Sequence, residues 1–160
     1  MNMSIIIDKI GFLSPLILLL ISIFNLWNQK KYLISYLVFF IGNTIVNKIL
    51  KSIIKQKRPD NGIKIFNESY TGVEKYGMPS GHLQSVFFSL SFLYLVKGSP
   101  IWLIIELFIA AITFYQRWKY KQHTFEQLLF GSIIGIIFAY LSFSITKQWL
   151  SVKTLYPTNI

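Results

Sequence analysis

Five apolar runs, at about residues 10–27, 32–54, 83–96, 101–118 and 124–146, alternate with polar segments along the chain. A helix needs about 20 residues to cross a hydrocarbon core, so four runs span outright. The third must begin inside the polar segment before it. Only helices and closed barrels satisfy their backbone groups in lipid, and the alternation of barrel strands is absent. The pattern predicts an all-α polytopic membrane bundle of about five transmembrane helices, forming one domain over residues 1–160. The first run reads as a span rather than a cleaved leader. The segment ahead of it carries one acid and one base, Asp8 and Lys9, and no small-residue cleavage site follows it.

The polar segments are unequal. Three are short, and one, QKRPDNGIKIFNESYTGVEKYGMPS at 56–80, is long and marked by the turn formers Pro, Gly and Asn. Loops of that length are more often functional or disordered than idle. Counting spans alternately puts the N-terminus, the 56–80 loop and the 116–123 segment on one membrane face. Of the 16 Lys and Arg residues, eleven fall on that face and five on the other. By the positive-inside rule the loop face would be cytoplasmic.

Composition narrows the chemistry. The chain is 53% hydrophobic with a net charge of +10. Its basic residues sit at helix ends, which points to phosphate or lipid headgroups as partners rather than nucleic acid. The absence of cysteine excludes disulfides and thiolate metal sites. Two His and six acidic residues argue against a metal centre, and oligomeric state is left open by the sequence.

Three polar constellations stand at the span ends. In KSIIKQKRP, Lys51 and Arg58 are seven residues apart, two turns of a helix that Pro59 stops, so both cations can reach one anion. The alternative is a basic flank in the headgroups. In PSGH, Ser80 and Gly81 open the third helix, where free backbone N–H groups favour an anion and would set His82 beside it. The alternative is an ordinary capped turn. In RWKYKQHTFEQ, Arg117 adds a third cation, and His123 and Gln127 have i, i+4 spacing at the start of the fifth helix. The Gln127 amide oxygen would then hold the imidazole in one tautomer; the alternative is an interfacial basic loop. Elsewhere, Gly131 and Gly135 suit close helix packing, Asn43 and Asn47 suit bonds across the bundle, and Glu106 suits snorkelling or pairing with a neighbouring span, the alternative being a proton or ion site.

In order and spacing the three pieces resemble the signature of the type 2 phosphatidic acid phosphatase superfamily, which extends to the vanadium haloperoxidases. That signature runs Lys-x6-Arg-Pro, Pro-Ser-Gly-His, then Ser-Arg-x5-His-x3-Asp. Here it falls at Lys51 to Pro59, Pro79 to His82 and Gln116 to Gln127, within residues 48–135. Two positions depart, Gln116 for Ser and Gln127 for Asp. KYGMPS before His82 and QHT before x-x-Gln are similar to the dolichyl diphosphatase branch, in which Gln stands at the last position.

The resemblance implies a hydrolase of the endoplasmic reticulum membrane with no metal or cofactor. Lys51, Arg58, Arg117 and the N–H groups of Ser80 and Gly81 would cradle a phosphoryl group. His123 would be the nucleophile, forming a phosphohistidine, with Gln127 as its orienter and His82 as acid and base. The implied substrate is a polyprenyl diphosphate of the dolichyl type. Phosphatidic acid or other lipid monophosphates, and a catalytically silent lipid-binding role, are the alternatives. The resemblance also implies a luminal or extracytoplasmic site, against the charge count. The sequons Asn2-Met3-Ser4 and Asn67-Glu68-Ser69 fall on that same face.

Overall fold

A computed structural model describes residues 3–66 and 68–155, the last four by backbone alone; Asn2 and Asn67, the sequon asparagines, lie outside the described residues. Each apolar run becomes one helix: α1 Met3–Leu26, α2 Lys30–Ile54, α3 Gly81–Lys97, α4 Pro100–Lys119 and α5 Phe125–Leu155. α1 starts ahead of the first run because Ile5, Ile6 and Ile7 extend its apolar surface, and α5 continues past Thr146. Four helices, all but α3, are long and apolar enough to cross a membrane.

α3 has 17 residues, about 25 Å of helix, less than the roughly 30 Å of a hydrocarbon core. It packs against all four other helices. Its Leu83, Val86, Phe88 and Phe92 are fully buried, together with the polar Gln84 and Ser89. A helix surrounded by protein need not match the thickness of lipid. Its ends are sharply set: Pro79 and the extended Ser80 precede it, and Gly98 closes it at φ 60°, donating to Tyr94 O at 2.8 Å.

The amphipathicity of α2 is inverted relative to a soluble helix. Ile34, Val38, Ile41, Ile45, Ile49 and Ile53 form an exposed apolar stripe, whereas Tyr36, Asn43, Asn47 and Lys51 are buried. In lipid the apolar solvent is outside, so polar side chains gain by turning inward to partners. Asn47 donates to Gln84 Oε1 at 2.8 Å and to Pro79 O at 3.3 Å, and Gln84 donates to Asn43 Oδ1 at 2.9 Å. The bonds expected across the bundle are therefore present, and they tie α2 to the start of α3.

α5 meets α3 through its glycines. A Cβ at Gly131 would lie 2.6 Å from Ser80 O, and one at Gly135 would collide with the Gln84 carbonyl. Glu106 corrects an expectation. It is fully buried within α4, neither snorkels nor pairs, and its carboxylate oxygens have no hydrogen-bond partner among the described residues.

The long loop is a folded cap. Its ends are joined by an antiparallel bridge between Lys57 and Tyr76 and by the Gly77 N–H donating to Gln56 O at 2.8 Å. Its outer part crosses to the α4–α5 connection, where the Ile63 N–H donates to Tyr120 O at 2.9 Å. The Tyr120 hydroxyl donates to Asp8 of α1 at 2.6 Å. The start of α1, the loop and the α4–α5 connection thus share one end of the bundle.

Candidate active site at one end of the bundle

Lys51, in the last turn of α2, and Arg117, in the last turn of α4, have side chains only 1% exposed. Arg58 lies beyond α2, which stops at Ile54 where Lys55 turns left-handed at φ 52°. Helical periodicity therefore does not align Lys51 with Arg58, contrary to expectation; the chain reversal at Lys55 does. Both still reach one carboxylate, Glu74: Lys51 Nζ bonds Oε2, and Arg58 Nη2 is 3.9 Å from it. Arg58 Nε also donates to the Glu74 backbone oxygen at 3.0 Å.

His123 stands two residues before α5. Its Nδ1 faces the Gly77 carbonyl at 2.9 Å. A carbonyl can only accept, so Nδ1 carries the proton and Nε2 keeps a lone pair. Nε2 accepts from Arg58 Nη1 at 2.8 Å. Burial, and next the Arg58 and Arg117 charges, hold the imidazole well below the usual histidine range. A neutral imidazole with an unshared pair beside a cationic fork can act as a nucleophile toward an anion held there.

His82, in the first turn of α3, has Nε2 3.0 Å from Phe12 O of α1. The same logic puts its proton on Nε2 and leaves Nδ1 available for chemistry. Arg117 Nη1 donates to Glu68 Oε1 at 2.6 Å and Nη2 to the Tyr70 hydroxyl at 3.0 Å. The Tyr70 hydroxyl donates to Gln122 Oε1 at 2.5 Å, and the Tyr70 ring lies 3.9 Å from the Arg58 guanidinium carbon. Burial pushes the Tyr70 phenol up, so it keeps this donor. One tyrosine thereby braces two of the three cations.

Two expected roles are corrected. The Gly77 carbonyl, not Gln127, holds the His123 tautomer. Gln127 is instead the third residue of a capping box: Thr124 N–H donates to Gln127 Oε1 at 3.3 Å, and Gln127 N–H donates to Thr124 Oγ1 at 3.3 Å. Its Nε2 donates to Gln56 Oε1 at 2.9 Å and Lys57 O at 2.8 Å. Its amide also fills the space that a Cβ on Gly77 would need. The other correction is at Ser80, whose N–H is not free; it donates to Gln127 O at 3.0 Å. Its hydroxyl is the free group, buried and without a partner among the described residues. Gly81 opens α3, whose first-turn N–H groups have no preceding helical carbonyl. Gln116, at the motif's Ser position, packs against Gly11 of α1.

The sequence carries little sign of Glu68, Tyr70 or Glu74, which complete the site together with Gln122, read in the sequence only as part of QHT. All lie in polar connections without periodicity.

A helical bundle with four helices long and apolar enough to cross a membrane, and with two histidines and three basic side chains gathered at one end, defines an integral membrane protein. The chain belongs to the PAP2 superfamily, whose family model matches residues 32–151. It is 31% identical over 149 residues to human dolichyldiphosphatase 1, covering 82% of this chain. It is 32% identical over 138 residues to dolichyldiphosphatase 1 of Dictyostelium discoideum, covering 79%. The chain spans about three fifths of the length of these curated relatives, 59% and 57%. In three dimensions it is similar to the PAP2-type phosphatidylglycerolphosphate phosphatase of Bacillus subtilis. The TM-score is 0.67 at 23% identity, covering 89% of this chain and 74% of that one. That likeness establishes the fold.

Proposed function

We propose that the protein hydrolyses a polyprenyl diphosphate of the dolichyl type to the monophosphate and inorganic phosphate. The observation that carries this reading is the His123 ring, held neutral with Nε2 against Arg58 inside a cluster of three buried or half-buried cations. The names of the curated relatives support the diphosphate substrate.

The diphosphate binds among Lys51, Arg58 and Arg117, with its terminal phosphoryl group against His123 and the first turn of α3 and the Ser80 hydroxyl beside it. These groups stabilise charge as it spreads over the equatorial oxygens. His123 Nε2 attacks phosphorus in line. The substrate's negative charge raises the proton affinity of His82, which takes a proton from solvent on Nδ1 as the substrate binds. The N–P bond then forms as the bond to the bridging oxygen breaks, and that Nδ1 proton passes to the leaving lipid monophosphate. A water then attacks the phosphohistidine, passing its proton to His82 Nδ1. Inorganic phosphate leaves and neutral His123 is restored. The Gly77 carbonyl stabilises the Nδ1–H of the phosphorylated ring throughout. The lipid tail stays in the bilayer, which accounts for a site built at the ends of spans. The reading includes a luminal or extracytoplasmic site, and an endoplasmic reticulum location for a eukaryotic chain.

Phosphate release from a panel of polyprenyl diphosphates, phosphatidic acid and sphingoid phosphates tests the reading. The expected result is fastest release from the diphosphates, lost in His123→Ala. Faster release from phosphatidic acid would replace the substrate, and no release from any member would overturn the enzyme.

A further inference from the structure

Each cation of the site faces a carboxylate supplied by the long loop. Glu74 bonds Lys51 and approaches Arg58, and Glu68 bonds Arg117. These are not surface ion pairs. Lys51 and Arg117 are almost wholly buried, Glu68 is 8% and Arg58 12% exposed, and Glu74, at 39%, is the most open of the five. The mechanism above uses neither acid. A carboxylate beside a phosphate-binding cation opposes the substrate, because it competes for the same N–H donors and repels the same charge.

The two acids hold different cations, Glu74 on Lys51 and Arg58 and Glu68 on Arg117, and Tyr70 contacts Arg58 through its ring and Arg117 through its hydroxyl. We propose that Glu68 and Glu74 hold the two positions that the phosphoryl groups of a diphosphate take. They thereby determine the preference of the site for a diphosphate over a monophosphate. This inference rests on the phosphatase reading for its substrate, but not for its binding chemistry.

The physical logic is exchange of like for like. A carboxylate and a phosphoryl group both offer anionic oxygens to a guanidinium or an ammonium group. A monophosphate displaces one carboxylate and then lies near the other, which remains on its own cation and repels it. A diphosphate displaces both and meets all three cations at once. The loop suits this exchange. Its base is pinned by the Lys57–Tyr76 bridge and the Gly77 N–H bond, so the carboxylates can leave while the Gly77 carbonyl keeps its hold on His123.

The test uses the full chain in detergent, as wild type, Glu68→Gln, Glu74→Gln and the double variant. Inorganic phosphate and pyrophosphate are the binding probes, read by thermal protection. One prenyl tail carrying either a diphosphate or a monophosphate supplies the kinetic comparison. In wild type, pyrophosphate should bind at least about tenfold tighter than phosphate. The double variant should bind phosphate about tenfold tighter than wild type does, and its kcat/KM preference for the diphosphate should shrink by a similar factor, mainly through gain on the monophosphate. Each single variant should give part of the shift. Equal binding of the two probes by wild type would overturn the proposal even if no variant folds. So would an unchanged preference and unchanged phosphate affinity in a folded double variant. Tight, Glu-dependent discrimination of the two probes without turnover of any lipid phosphate would instead uphold the carboxylate exchange and overturn the phosphatase.

Discussion

His123 Nδ1 donates to the carbonyl oxygen of Gly77 at 2.9 Å, and this bond decides which ring nitrogen is free to react. The carbonyl is itself held, because Gly77 N–H is bonded to Gln56 and the Gln127 amide fills the space beside its Cα. A backbone acceptor leaves Nε2 as the lone-pair nitrogen without placing a formal negative charge next to the ring.

His123→Ala should lower phosphate release to below about a hundredth of wild type, as loss of a nucleophile does. Expression should stay intact, with some loss of melting temperature because the buried ring's bonds to Gly77 O and Arg58 go. Retention of more activity than that would move the nucleophile elsewhere.

Gln127→Ala should destabilise the start of α5 by about 0.5–2 kcal/mol through loss of its capping box. Activity should also fall, because the bonds from Nε2 to Gln56 and Lys57 O are lost. Gly77→Ala should be worse, since its Cβ meets the Gln127 amide. Glu126→Gln should be nearly silent, because the Glu126 carboxylate is exposed and only accepts from Thr124 Oγ1 at 3.3 Å. Melting curves paired with turnover separate these effects; a damaging Glu126 change beside a mild Gln127 one would reverse the assignment.

The helices are legible in the sequence because lipid sets a minimum apolar length, and the five runs meet the five helices closely. α3 is the informative exception. Its run is short and interrupted by Gln84, Ser85, Ser89 and Ser91 because it is enclosed by protein, and those polar residues were the visible sign of that. The histidines and cations are legible because motif spacing survives whatever the backbone does between them. Gln127 is misread because i, i+4 spacing assumes a helix that already contains His123, whereas Thr124 caps α5 just after it. Glu68, Tyr70 and Glu74 are illegible because a loop's return path is a tertiary fact with no local pattern.

Activity and stability should respond differently to acid. Burial, Arg58, Arg117, His82 and Lys51 all disfavour the His123 imidazolium, so the imidazole stays unprotonated well below pH 6.5. The unfolded chain takes up that proton near the ordinary histidine value of about 6.5 and the folded chain does not. Stability from this group is therefore present above about pH 6.5 and is lost as pH falls from there toward the depressed folded value. In detergent, the wild-type melting temperature should drop more steeply between pH 7 and pH 5 than that of His123→Gln. Parallel curves would show that the folded ring titrates normally.

Gly131→Ala should cost about 1–3 kcal/mol, the usual range for overpacking. Its Cβ would sit 2.6 Å from Ser80 O and press on the turn that carries Gly81 and His82. Gly42→Ala is the matched control, since its Cβ would meet only the Phe138 ring edge at 3.6 Å. Equal melting temperatures for the two variants would mean that α3 and α5 are less tightly apposed at this end than at Gly135.

Membrane sidedness is the point at which charge counting and the proposed function diverge. Lys51, Arg58 and Arg117 belong to the site and are paired with loop carboxylates, so they say little about orientation. Removing them still leaves an excess of basic residues on the loop face. The absence of cysteine makes a direct measurement simple, because a single introduced thiol is the only reactive one. Lys64 and Lys30 are both exposed and lie at opposite ends of the bundle. In sealed microsomes, a maleimide that cannot cross membranes should label Lys30→Cys from outside and leave Lys64→Cys unlabelled until detergent is added. The reverse pattern would put the site in the cytoplasm. The positive-inside bias would then be correct, and the enzyme would have to draw its diphosphate from the cytoplasmic leaflet.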